Sequence, residues 1–202
     1  LFIGDDIFLS PSACELHLAR HKQERRSMAV LGFTTWDTAL EITPVMRWLE
    51  TSGWQFGYPQ LKSYAGKIVP KNLQHFFSYT SHISLPRSTA LLHPFQVTQR
   101  YGWEDIEWGL RLKNADIPLF YEPKALAFHH HPMTLEQSLQ RVELLGETAQ
   151  EFSRTSPELG IVPHGIKYFF QCIQSCLPGF VGQHRRAFLR GVSKAKKRLH
   201  VR

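Results

Sequence analysis

The chain has 202 residues, 43% of them hydrophobic and 12% aromatic. That is enough for one well-cored domain and excludes a disordered chain. The formal charge of +7 is unevenly placed: Gln183–Arg202 holds eight bases (Arg185, Arg186, Arg190, Lys194, Lys196, Lys197, Arg198, Arg202) and no acid, so 16 bases face 17 acids in residues 1–182, which excludes a nucleic-acid-binding core and leaves a tail suited to something anionic.

Leu1 to Leu9 reads as an apolar strand broken by Asp5 and Asp6, and its abrupt start implies sequence upstream. Ser10-Pro11 opens a helix reaching about Arg26, with Ser as cap and Pro in the first turn. Met28 to Trp36 is a strand, and Thr43-Pro44 caps a helix that runs through Thr51 and stops at Gly53. Residues 52–72 form a long loop, of a length that usually serves function. Phe76 to Leu85 alternates as a half-buried strand should, and a helix follows Pro86. A helix from about Trp103 to Asn114 precedes two short strands, Ile117 to Tyr121 and Ala125 to His129; Thr134 to about Arg154 is an amphipathic helix. Strands alternating with helices give an α/β class.

No run has the length of a membrane span; the best, Ile161 to Val181, is interrupted by Pro163, Lys167 and Pro178. In the tail, Phe188, Val192, Ala195 and Leu199 recur at helical spacing among the cations, the pattern of a helix lying on an anionic membrane; the alternative is a frayed, solvated C-terminus, since Gly191 weakens the helix. Cys14, Cys172 and Cys176 lack the spacing of a disulfide framework, which fits a reducing compartment; Cys172 and Cys176 share a helix face as packing residues.

Three clusters carry chemistry. Asp5 and Asp6 are adjacent carboxylates in an apolar run, costly to bury unpaired; they suit either a plain turn between strands or a hard cation shared with phosphate oxygens. Glu104 and Asp105 open a helix, where the dipole favours anions, while Glu107 and Arg111 are an i,i+4 structural pair. His129-His130-His131 ends a strand, and alternation puts His129 and His131 on one face, where neutral imidazoles could bind a metal or phosphate.

In this order the clusters resemble the catalytic region of glycosyltransferase family 2. The matching parts are the acidic strand end, His17 and His21 on a helix, the segment Gly32 to Trp36, and the strand Ser81 to Arg87. To these are added the Trp-Glu-Asp-Ile-Glu helix at Trp103 to Glu107 and the Pro-x-Ala-x-x-x-His-x-His strand at Pro123 to His131. The resemblance spans roughly residues 1 to 146. It implies a GT-A-type mixed sheet flanked by helices, divided as a catalytic part at 1–155 and a helical basic extension at 156–202. It implies that Asp6, with Asp5, holds Mg²⁺ or Mn²⁺ on the diphosphate of a nucleotide-sugar donor, with His129 a further metal or phosphate contact. Asp105 would be the general base toward the hydroxyl of a glycan or lipid-linked acceptor, and Glu104 would orient substrate. The expected reaction is a non-processive inverting transfer at the cytoplasmic face of a membrane.

Gly4 stands where many relatives have the first acid, His82 replaces a common Asn, and the Gln-x-x-Arg-Trp signature of processive members is absent. The family's nucleotide pocket lies upstream of the acidic motif, so an N-terminally truncated fold is expected, inactive by itself. Two other readings stand beside this one: a non-catalytic remnant or binding module that has lost donor binding, and a metal-dependent hydrolase.

Overall fold

A computed structural model describes residues 1–24, 26–96 and 102–200, with the side chains of Leu199 and His200 outside the description; Arg202, read above, also lies outside it. The chain divides into two compact units. The first takes Leu1–Gln96 and Asp105–Pro132; the second takes the described parts of Val97–Glu104 and Met133–Arg202. The helix read from Thr134, grouped by sequence with residues 1–155, therefore belongs to the second unit.

The first unit is built on a six-stranded mixed sheet. Its strands are Phe2–Ile3 (β1), Ile7–Leu9 (β2), Ala29–Trp36 (β3), Lys67–Ile68 (β4), His82–Ser84 (β5) and Leu119–His129 (β6). The order is β1-β5-β3-β6-β2, with β4 also pairing β6, and only β3 and β6 run parallel. The broken strand at the N-terminus is thus two strands on different neighbours, joined by the Asp5-Asp6 turn. Helices Ala13–Gln23 (α1), Pro44–Ser52 (α2), Tyr58–Leu61 (α3), Arg87–Leu92 (α4) and Glu104–Asn114 (α5) complete the α/β arrangement. The core gathers Leu31, Leu61, Ile83, Trp108 and Leu119, all essentially without solvent exposure.

Local chemistry explains where several elements begin and end. Thr43 accepts a hydrogen bond from the Met46 N–H, Pro44 sits in the first turn, and Gly53 closes α2 at φ 77°, a left-handed conformation that costs glycine little. Other expectations fail for identifiable reasons. The first helix starts at Ala13, with Ser12 and not Ser10 at its cap position. Gln74–Phe77 is a 3-10 turn and the strand shrinks to His82–Ser84, because the Gln74 side chain is buried donating to the Ile117 carbonyl. The loop at 52–72 contains α3 and β4. The two strands around Pro123 are one: opposite Gly32 and Phe33 the register jumps from Glu122 to Leu126, so Pro123 falls in a bulge where no ladder N–H is required.

In the second unit, Leu135–Thr155 (α6) starts in a reciprocal capping box between Thr134 and Gln137. Gly165–Cys176 (α7) and Gly179–His200 (α8) follow. The tail stripe read as lipid-facing is instead a packing face: Phe188, Val192 and Ala195 are buried, and α8 lies along α6. Gly191 is needed there, since a Cβ on it would stand 1.9 Å from the Glu143 carbonyl oxygen, and one on Gly146 of α6 would stand 2.2 Å from that of Phe188. Arg190, Lys194 and Arg198 pair with Glu143 and Glu147 of α6, so these tail cations are satisfied within the protein. Among the described residues, no helix is long and apolar enough to cross a membrane.

Candidate metal centre and acid pair

Strand β2 pairs with β6 so that Ile7 faces His129, and the His130 N–H donates to the Asp6 carbonyl at 2.8 Å. This register swings the Asp6 side chain over the end of β6. Its Oδ2 accepts from His129 Nε2 at 3.2 Å and from His131 Nδ1 at 3.1 Å. His130 points the other way and bonds Asp37 at 2.7 Å, as a period of two requires. The ring of His129 is buried, stacked on Trp36 at 5.0 Å and 10°, and followed by His131 at 5.4 Å. A crevice bounded by Trp36, Glu50, Phe56 and Tyr58 reaches His129.

The ligand atoms of Asp6, His129 and His131 lie within 4.8 Å of one another, close enough to share one ion. One carboxylate and two imidazoles fit a divalent transition metal such as Mn²⁺ better than Mg²⁺, which prefers an all-oxygen shell. Of the residues expected from sequence, Asp6 and His129 are brought together. Asp5 is exposed and outside the group, whereas His131, placed by alternation on the face of His129 but not named as a metal ligand, is inside it. Strand alternation had already paired the two histidines, and Asp6 lies 123 residues from His129 in sequence.

Asp105, at the start of α5, is held by Thr80. Thr80 Oγ1 donates to its Oδ1 at 2.6 Å and the Thr80 N–H to its Oδ2 at 3.3 Å. Beside it in sequence, Glu104 has a buried Oε2 with no hydrogen-bond partner among the described residues. The turn before the helix is strained: Gly102 has φ 104° and Trp103 φ 72°, a region costly for a bulky side chain, and Trp103 is held by an indole N–H bond to the Leu145 carbonyl. Glu107 and Arg111 form the expected pair, a forked contact at 2.7 and 3.1 Å.

A second cluster, invisible as a unit in the sequence, joins five residues from three of the motif segments. His17 Nε2 meets His82 Nε2 at 3.2 Å, one ring donating and the other accepting, and Ser84 Oγ lies 2.8 Å from both His17 Nδ1 and His21 Nε2. Thr34 Oγ1 stands 3.3 Å from His82 Nδ1. Burial holds His17 down to about 3, aided by the neighbouring His82 and His21, and burial holds His82 down to about 4. Both rings are therefore neutral near pH 7. Gly32 makes room for them, since a Cβ there would lie 2.1 Å from the His82 ring. No protein-family model, curated protein or solved structure matches this chain.

Proposed function

We propose that the first unit, with Glu104 adjoining it in sequence, carries the catalytic residues of a GT-A-type, family-2 glycosyltransferase, which moves a sugar from a nucleotide-sugar donor to an acceptor hydroxyl with inversion and in single transfers. The observation that carries this reading is the meeting of the Asp6 carboxylate with His129 and His131. Asp6, His129 and His131 would hold a divalent cation, which when bound neutralises the charge of a departing nucleoside diphosphate. Asp105 takes the proton from the acceptor hydroxyl, and its two bonds from Thr80 fix the plane in which it accepts that proton. Glu104 supplies a second acceptor atom for substrate hydroxyls. Trp36 and Phe56 hold the His129 ring from the crevice side, so its nitrogen keeps one direction.

The test is calorimetric. Mn²⁺ is titrated into the chain with and without inorganic pyrophosphate, then into Asp6→Ala and Asp5→Ala. The expected result is Mn²⁺ binding that pyrophosphate strengthens, lost in Asp6→Ala and kept in Asp5→Ala. Absence of Mn²⁺ binding, or equal binding by Asp6→Ala, refutes the assignment.

A further inference from the structure

Helix α7 is amphipathic the wrong way round for its place in the second unit. Ile166, Phe169, Phe170, Ile173 and Leu177 recur at offsets of 3, 4, 7 and 11, a single stripe about 100° wide. Instead of packing, that stripe faces solvent: the five residues are 71%, 60%, 56%, 48% and 46% exposed. The reduced exposure lies at Gln171, Cys172, Gln174 and Ser175, on the side that meets α8, where the Arg186 guanidinium donates to the Ser175 carbonyl. A helix that spends its polar side on its neighbour and leaves two phenylalanines in water calls for an apolar partner.

Charge selects the partner. After Glu158 the chain has no acid and nine Lys and Arg; Arg190, Lys194 and Arg198 pair with acids of α6, and Lys167 lies within α7 itself. A second copy of the chain would set like charge against like. An anionic bilayer satisfies both features, its acyl boundary taking the apolar stripe and its headgroups the surrounding cations. At twelve residues the helix spans about 18 Å, well short of a hydrocarbon core of about 30 Å, so it lies in the interface.

We infer that the exposed stripe of α7 docks the protein reversibly on an anionic membrane surface. The inference is independent of the transferase reading, since it uses no residue of the metal centre or acid pair. It also moves the membrane contact expected of the tail from α8, whose stripe is packed, to α7.

The experiment is co-sedimentation of the full chain with phosphatidylcholine vesicles, with or without about 30 mol% phosphatidylglycerol, at about 0.1 and 0.5 M salt. Binding is expected only to the anionic vesicles and weaker at high salt. The double variant Phe169→Ser/Phe170→Ser is expected to lose about a hundredfold in partitioning, with an unchanged circular dichroism spectrum because both side chains are exposed. Lys167→Glu is expected to weaken binding by several-fold with the stripe intact. Equal sedimentation of wild type and double variant overturns the inference, as does equal binding to neutral vesicles. A wild-type dimer in lipid-free sedimentation velocity that becomes monomeric in the double variant would assign the face to a second copy, and overturns it too.

Discussion

Acidification from about pH 7 to about pH 5 is expected to destabilise the first unit through the His17–His82 pair. Both rings are buried and neutral in the folded protein, with values held near 3 and 4, while the unfolded chain titrates near 6.5. Below 6.5 the unfolded state binds protons that the folded state refuses, so stability is full above that value and falls with falling pH until the folded values are reached. At pH 5 an unfolded histidine gains about 2 kcal/mol from protonation, so the two rings together cost about 4 kcal/mol. Urea unfolding followed by tryptophan fluorescence reads mainly this unit, since Trp36, Trp48, Trp54 and Trp108 lie in it. With an m-value of about 2 kcal/mol/M, the midpoint should drop by about 2 M between the two pH values. His82→Asn, which puts a non-titrating amide against His17, should remove about half of that drop. His17 and His82 are not the only histidines held low: His21 and His75 in the same unit shift the same way through burial, so they share the residual slope of the variant with His17. An unchanged midpoint in the wild type, or an undiminished drop in His82→Asn, would refute the argument.

Alanine at Gly146 or Gly191 should lower the melting temperature of the second unit, with a cost of about 1–3 kcal/mol from overpacking, although Gly→Ala in a free helix gains about 1 kcal/mol; a higher melting temperature in either variant would show that the helices do not approach so closely. Where sugar transfer from a panel of nucleotide sugars is detected, Asp105→Asn should reduce it by about 10²–10⁴-fold at unchanged Mn²⁺ affinity, and retention of half the rate would remove Asp105 from the base role. Thr80→Val, which takes away the 2.6 Å hydroxyl bond but keeps the backbone one, should lower the same rate less than Asp105→Asn does.

Features written in short-range chemistry were legible in the sequence. The Thr43-Pro44 cap, the Gly53 stop, the Thr134 start and the strand from Ala29 to Trp36 each depend on a few adjacent residues, and each appears where those residues put it. Alternation also separated His130 from its two neighbours. The misreadings came from long-range effects. Residues 76–81 alternate as a strand would, but the buried amide of Gln74 and the tertiary contacts of α5 hold them out of the sheet: Gly109 packs so close that a Cβ there would lie 2.4 Å from Ser78 Oγ. The basic tail has the pattern of a surface helix because the pattern is the same whether the apolar stripe meets lipid or α6. Which of the two it meets was decided by glycines on both helices that only the packed structure relates to each other. The pairing of His17 with His82, and of Asp6 with His131, joins residues 65 and 125 positions apart, a distance no local pattern spans.

The triple histidine at the end of β6 also acts as a gauge of strand alignment. Because side chains alternate, sliding β2 along β6 by a single residue would turn His130 toward the Asp6 turn and send His129 and His131 to the opposite side. The correct alignment offers two imidazoles to the carboxylate and the slipped one offers a single imidazole, so a bound cation would favour the former over the latter. Closing a loop of more than a hundred residues costs entropy that two short strands repay poorly. An ion bridging Asp6 to the end of β6 would therefore act as a clasp on that edge of the sheet, its binding coupled to the pairing of two strands far apart in sequence.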